Sequence, residues 1–345
     1  MGCGTGACLD LGIVGLGYWG PNLLKSLSRI PQVRLKHAYD TDKDKWAKLA
    51  SVYPETRFAE NFELLIADED VDAVVIATPA PTHAGLAQQA LLANKDVFVE
   101  KPLALSTVDA EQLVTLAAER NRILMVGHLL EYHPAVIRLK EIIDSGELGE
   151  IFYAYTHRLN LGIIRRNENA LWSLGPHDLS IILRLLDQEP VEVQASGQGY
   201  LNEAIEDVVF GTLRFTDGKM VHLHMSWFDP QKERKITIVG SEKMAVFDDT
   251  SQDGKLKLYD KGVQKPEHES YDGYASLRSG DTVNLKLPDE EPLKRECEHF
   301  VECLMERKRP ISDGHSGLRV VRVLDALQRS LEAGGQPILL SKVLH

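Results

Sequence analysis

The sequence predicts an α/β chain in two parts: an N-terminal doubly wound parallel sheet, then a C-terminal α+β domain with a mainly antiparallel open sheet. Three observations carry this. Between residue 11 and about residue 128, short β-branched runs alternate with segments patterned for helices. Beyond Gly149, strand-like stretches follow one another with few helices between them. The length of 345 residues, at roughly 100 to 200 per domain, suits two domains.

In the first part the strand-like runs are residues 11–15, 33–40, 71–78, 96–100 and 123–128. Between them, residues 18–28, 41–53, 82–93 and 107–121 carry apolar positions three and four apart, the helical period. The run Ala73-Val74-Val75-Ile76-Ala77 is apolar without alternation, which marks a parallel strand covered on both faces. Repeated right-handed βαβ units gather ligands at the carboxyl ends of the strands. After a helix-like segment at 133–145 and the turn Gly146-Glu147-Leu148-Gly149, strands are expected at 151–158, 191–199, 208–215, 220–227, 235–240 and 244–248. Within 220–227, Val221, Leu223, Met225 and Trp227 alternate with His222, His224 and Ser226, so one face is apolar. If helices cover one side of this sheet, the other is a candidate surface for a homodimer or homotetramer, or else the exposed face of a plain meander. The polar stretch 250–289 reads as loops with one strand at 255–259. Two closing helices, 292–306 and 316–333, are expected to pack back on the first domain. The resulting domains are 11–128 and 129–291, with about 292–340 returning to the first.

Thirty-nine Lys+Arg against 51 Asp+Glu leave a net charge of −12, which argues against a nucleic-acid partner; the longest basic block is Arg307-Lys308-Arg309. No apolar stretch approaches the ~18 residues of a membrane span, and no secretory signal opens the chain, so a cytoplasmic protein without a membrane partner is expected. Cys3, Cys8, Cys297 and Cys303 form no C-x-x-C pair and no zinc spacing, so they read as reduced thiols, with no metal site.

Gly15-Leu16-Gly17-Tyr18-Trp19-Gly20 follows an expected strand and opens an expected helix, the context that the G-x-G-x-x-G fingerprint requires. Gly15 allows the tight turn, Gly17 the approach of a pyrophosphate, and Gly20 close packing of helix on strand. Pro21 belongs in a first helical turn. Asp40 stands twenty residues beyond Gly20 at the end of the second strand, where its carboxylate can accept from the ribose diol. It would repel a 2′-phosphate, and Thr41-Asp42 brings no Arg, so NAD is expected over NADP. Gly4-Thr5-Gly6 has no strand before it and is a decoy.

The fourth strand ends in Glu100-Lys101-Pro102, and the third leads into Thr78-Pro79-Ala80-Pro81-Thr82-His83. Together with the glycine motif and the α+β second half, these resemble the glucose-fructose oxidoreductase/inositol dehydrogenase/rhizopine-catabolism (Gfo/Idh/MocA) family over roughly residues 11–340. The resemblance implies a Rossmann domain that binds NAD through Gly15, Gly17, Tyr18, Trp19, Gly20, Asp40, Thr78, Pro79, His83, Glu100 and Lys101. It implies that Lys101 contacts substrate and nicotinamide ribose, and that the bond to Pro102 is often cis. The family's Asp-x-Gly-x-His corresponds to Ser173-Leu174-Gly175-Pro176-His177, with Ser173 replacing the Asp. Gly175 can cap a helix and Pro176 can be its first residue, which would leave His177 in the first turn, where the positive helix end favours a neutral base. Asp178 reads either as a site residue or as a helix-start charge. The implied reaction removes a hydroxyl proton by His177, assisted by Lys101, or by Lys101 itself, as hydride moves to NAD.

The stretch Asn160 to Trp172, with Gly127-His128-Leu129-Leu130-Glu131-Tyr132-His133-Pro134, looks like the branch that oxidises UDP-N-acetylglucosamine-type sugars at C3, making a 3-keto sugar for a later aminotransferase in amino-sugar or cell-surface polysaccharide biosynthesis. Arg165 and Arg166 suit a diphosphate or are loop charges. Tyr132, Asn169, Trp172, Ser173 and His177 complete the expected substrate set, although Tyr132 and Trp172 are equally natural in a core. Two other readings remain open: a dehydrogenase of a free polyol or sugar such as myo-inositol, and an NAD-binding regulator without turnover.

Overall fold

The computed structural model describes residues 8–162, 164–165, 168–264 and 276–340. The chain divides into two compact units, Met1–Tyr132 with Glu290–Arg322 and His133–Asp289 with Val323–His345. The first runs β1 (Leu9–Val14), α1 (Gly20–Leu27), β2 (Val33–Tyr39), α2 (Lys43–Ala47), β3 (Arg57–Phe58), α3 (Phe62–Ala67), β4 (Ala73–Ile76), α4 (His83–Leu92), β5 (Asp96–Glu100), α5 (Thr107–Glu119) and β6 (Leu124–Gly127). Its six strands lie in the order β3-β2-β1-β4-β5-β6, all parallel. The order reverses between β1 and β4, so a ligand crevice is expected outside their carboxyl ends. β4 and β6 are buried at every residue, as strands covered on both faces must be. Here α2 is shorter than residues 41–53 suggested. The two-residue β3 and the six-residue α3, capped by Asn61, were not expected.

The second unit contains α6 (Pro134–Asp144), β7 (Ile151–Leu161), α7 (Ala170–Leu186), β8 (Glu192–Gln198), β9 (Val208–Arg214), β10 (Met220–Ser226), β11 (Phe228–Gly240), β12 (Met244–Asp248), β13 (Leu256–Gln264) and β14 (Ser276–Asn284). Then come α8 (Pro292–Glu306), α9 (Gly314–Glu332) and β15 (Ile338–Leu339). Nine strands lie in the order β14-β13-β12-β11-β7-β10-β9-β8-β15, and only β7 and β10 pair in parallel among the described residues. The alternation on β10 holds as far as Met225, with Val221, Leu223 and Met225 buried and His222 exposed, whereas Ser226 of the polar set is buried as well. α7 covers β7, β9 and β10 on that apolar face. The opposite face carries a ladder of rings through Tyr153, Tyr155, His157, His224 and Phe210.

Three expectations change. Residues 250–289 are not loops around one short strand, because β13 and β14 pair antiparallel there; a polar edge hairpin lacks the apolar alternation that announces a strand. The closing segment does not return as a whole to the first unit. α8 does, with Phe300 edge-on to Phe98 at 5.5 Å, and α9 begins there, but from Val323 the chain groups with the second unit. An amphipathic pattern shows which face is apolar and not which partner takes it. Lastly, Cys8 is disulfide-bonded rather than a reduced thiol. Cys297 and Cys303 are free and buried. Among the described residues no helix is long and apolar enough to cross a membrane.

Candidate active site

The carboxyl end of the parallel sheet is built first by the glycine loop. Gly15 has φ of 93°, and a Cβ there would stand 2.5 Å from the Ala77 carbonyl oxygen. A Cβ on Gly20 would stand 1.9 Å from the Gly15 carbonyl oxygen, so both positions exclude a side chain. At Gly17 nothing lies within 4 Å of the Cβ position, which leaves the loop open for a pyrophosphate to reach its backbone. No side chain caps the start of α1, where Pro21 stands in the first turn. Tyr18 is exposed, and the Trp19 indole donates to the Glu100 carboxylate.

Asp40 follows β2 and is 7% exposed. It accepts from the Leu16 N–H at 2.7 Å, the Asp42 N–H at 2.8 Å and Lys45 Nζ at 3.1 Å. Burial alone would raise its pKa, but these donors hold it below the ordinary carboxylate value. It is therefore an anion that braces the glycine loop and still has lone pairs to offer a ribose. The cation beside Asp40 is thus Lys45, in the last turn of the five-residue α2, where Thr41-Asp42 offered none.

β5 ends in Glu100, and the Lys101–Pro102 peptide bond is cis. The Glu100 carboxyl lies against Gly127, accepts from the Lys101 N–H at 3.2 Å, and is pushed up to about 7, chiefly by burial, with Lys101 opposing. His83 was expected to touch the cofactor, but it is 1% exposed and both ring nitrogens are committed: Nδ1 lies 2.7 Å from the Pro102 carbonyl and Nε2 2.8 Å from that of Thr78. As a neutral imidazole it donates to one of these carbonyls and lies against the other, between the loop after β4 and the Lys101 turn. Burial, and to a lesser degree the charge of Lys101, hold it below the ordinary histidine value despite those carbonyls. Thr78 accepts from the Thr82 hydroxyl at 2.7 Å, and Pro79 leads into the short turn Ala80–Thr82. Thus Gly15, Gly17, Trp19, Gly20, Asp40, Thr78, Glu100 and Lys101 are gathered at one end of one sheet, and their donor set fits a dinucleotide.

The substrate set fares differently. α7 starts at Ala170, with Asn169 as its cap accepting from the Trp172 N–H at 3.1 Å. Asn169 also donates to Glu206 at 2.7 Å and Gln328 at 2.9 Å, so its side chain is spent on the cap and not available to a sugar. Pro176 lies inside the helix. His177 is therefore two turns in and not in the first turn as expected, so the helix end does not favour its neutral form, because the dipole's influence fades after the first turn. The misplacement came from reading Pro176 as a first residue when Asn169 offered the better cap. Ser173 is buried in α7, and Trp172 and His177 are half-buried on it. Asp178 is no helix-start charge: at 1% exposure it pairs with Arg158, 6% exposed, through Nε at 2.7 Å and Nη2 at 2.5 Å. Tyr132 belongs to the core of the first unit rather than to a sugar pocket, 1% exposed with its hydroxyl 2.9 Å from Ser312 Oγ. Arg165 is exposed and paired with Glu168 at 3.1 Å, while Arg166 lies outside the described residues. Among the described residues no group of three His, Cys, Asp or Glu could hold a metal.

Comparison with known proteins gives two family matches. Residues 9–128 match an oxidoreductase family with an NAD-binding Rossmann fold, and residues 136–246 match the GFO/IDH/MocA C-terminal domain. A UDP-N-acetylglucosamine 3-dehydrogenase of Acidithiobacillus ferrooxidans is 27% identical over 93% of this chain and 97% of its own. Its solved structure superposes with a TM-score of 0.81 at 25% identity, over 95% of this chain and 99% of that one. An inositol 2-dehydrogenase of Acidothermus cellulolyticus is 30% identical, over 55% of this chain and 57% of its own. GenD2 of gentamicin A biosynthesis, solved with NAD, shares the fold at a TM-score of 0.82 and 24% identity, covering 99% of each chain.

Proposed function

The chain belongs to the GFO/IDH/MocA family of NAD-binding oxidoreductases, and from that premise we propose that it oxidises the C3 hydroxyl of a UDP-N-acetylglucosamine-type nucleotide sugar to a ketone. The observation that supports this choice of sugar is coverage. The match to the UDP-N-acetylglucosamine 3-dehydrogenase runs through both halves of the chain, whereas the match to the inositol 2-dehydrogenase spans 55% of it. A 3-keto product suits a later aminotransferase in amino-sugar or cell-surface polysaccharide synthesis.

When bound, NAD⁺ would supply the hydride acceptor. The glycine loop and Asp40 orient it, and Lys101 Nζ stabilises the alkoxide as the C–H bond breaks. The hydroxyl proton passes to the His177 imidazole or to Lys101. Ser173 and Trp172 are assigned to the sugar, and Arg165 with Arg166 to its diphosphate. Retention of Lys101 and His177 favours an enzyme over a regulator without turnover, the reading that Ser173 had kept open. The full chain, mixed with NAD⁺ and separately with UDP-N-acetylglucosamine, its uronic acid and myo-inositol, is expected to reduce NAD⁺ with the nucleotide sugars. Turnover with inositol alone would overturn the choice of sugar, and NAD⁺ binding without any turnover would support the regulator.

The site acts in the cytoplasm, in a homodimer or homotetramer formed through the ring-bearing face of the second unit's sheet, where Tyr153 is 43%, Phe210 41% and Met220 39% exposed. Sedimentation equilibrium is expected to give an oligomer that Phe210→Glu dissociates; a monomeric wild type would refute this assembly.

A further inference from the structure

The helix α8 follows the apolar pattern Leu293, Glu296, Cys297, Phe300 and Val301, spaced by three and four, and all five are buried. Glu296 is the exception within that stripe: it is wholly buried, and neither carboxyl oxygen has a hydrogen-bond donor. Phe300 packs on Phe98 of β5 at 5.5 Å. Glu296 stands one helical turn before Phe300, and Glu100 stands two residues after Phe98, so the two carboxyls lie on the same faces as the touching rings. His299 of α8 packs its ring on Tyr132 at 5.5 Å, which brings the Glu131-Tyr132 turn to the same helix.

A carboxylate without donors in such a place is costly, and the group keeps its proton instead. Burial, reinforced by the charges of Glu100 and Glu131, raises Glu296 well above the ordinary carboxyl value. As a neutral acid it becomes a donor that needs an acceptor, and the carboxyls of Glu100 and Glu131 are the ones that act on it. Glu100 is the one with a function, since it receives Trp19 from the glycine loop and the Lys101 N–H from the reactive turn.

We propose that Glu296 is a positioning residue for Lys101: as a neutral acid it donates its hydroxyl to Glu100, and that bond holds the Glu100 carboxylate where it ties the glycine loop to the Lys101 turn. Two carboxyls then share one proton and titrate as a pair. The other groups facing them are Lys101 beside Glu100, buried His128 after β6, Glu131 and Tyr132 from the turn before α6, and Cys297 on α8. His128 is held near 3, first by burial and then by Lys101, so it contributes no charge at neutral pH.

The functional consequence rests on the reading of Lys101 above, but the test needs no sugar, so failure here and failure of that reading are separable. Glu296→Gln removes the shared proton and keeps a donor; Glu296→Leu removes both. In pH-difference infrared spectra of the full chain, wild type is expected to keep a carboxylic-acid carbonyl band at about pH 8 that both variants lose. A second acid band bleaches with a midpoint near the about 7 of Glu100. That midpoint stays in place in Glu296→Gln and rises by about one pH unit in Glu296→Leu, because the Glu100 anion has lost a donor. The proposal is overturned by a wild type without the persistent band, by its survival in Glu296→Gln, or by an unmoved midpoint in Glu296→Leu. Should the Leu variant fail to fold, urea unfolding decides. Above the ordinary carboxyl range the wild-type unfolding constant gains about tenfold per pH unit relative to Glu296→Gln, since unfolding releases the retained proton. Equal pH slopes for the two proteins refute the proton on Glu296.

Discussion

Replacing Lys101 with Met is expected to lower kcat about a thousandfold while leaving NAD⁺ affinity within a few-fold. The substitution keeps most of the side chain's length and removes its charge, so it tests electrostatic stabilisation rather than the fold. The backbone of the turn is held independently, by the Lys101 N–H on Glu100 and by His83 on the Pro102 carbonyl. His177→Ala is expected to cost about 10²- to 10⁴-fold in kcat if His177 is the base. Single-turnover reduction of NAD⁺ and a separate binding titration measure the two quantities, and an unchanged kcat in either variant refutes that residue's role. If both variants lose turnover, their pH profiles separate the assignments: the variant that retains an ionisation on the acid limb still carries the base.

The second large effect is on stability. Arg158→Ala should destabilise the protein by about 3–5 kcal/mol, because it strands the Asp178 carboxylate in a site where that residue is 1% exposed. Asp178 Oδ2 already lacks a hydrogen-bond partner, so the Arg158 contacts at Oδ1 carry the compensation. Urea denaturation measures the loss, and a value below about 1 kcal/mol would show that the pair is effectively solvated. The double substitution Arg158→Met with Asp178→Leu removes both charges and should recover most of the stability, as replacement of buried ion pairs by apolar packing often does. Asp178 adjoins His177 on α7, so the single variant should also lose turnover, and the double variant should regain part of it.

The parallel sheet could be read from the chain because uninterrupted apolar runs such as Ala73 to Ile76 have few alternatives to a strand covered on both faces. The glycine loop and Asp40 were readable for a related reason, since a motif constrained by backbone sterics leaves its residues at fixed spacing. What escaped reading depended on long-range partners. Tyr132 has the same local sequence whether it lines a pocket or bonds to Ser312, 180 residues away. The Arg158 partner of Asp178 comes from another element, as do the Pro102 carbonyl for His83 and the end of α9 for the second unit's sheet. The start of α7 is a miss of another kind, for Asn169 was visible as a cap and Pro176 was preferred to it. Glu296 was also visible, as an acid on the apolar stripe of α8, and only its burial shows that the placement is meant.

The first unit closes with α8, whose Leu293, Cys297, Phe300, Val301, Cys303 and Leu304 share a core cluster with Phe98, Met125 and Tyr132. Those residues are absent from the nascent chain until the whole of His133–Asp289 has been synthesised. At a ribosomal rate of about 5–20 residues per second, the apolar flank that α8 will cover stays bare for roughly ten to thirty seconds. The cofactor-binding half, first in the gene, thus stays incomplete until most of the other half has been made, and a chain truncated after Tyr132 would carry the dinucleotide motif without the helix that seals its core.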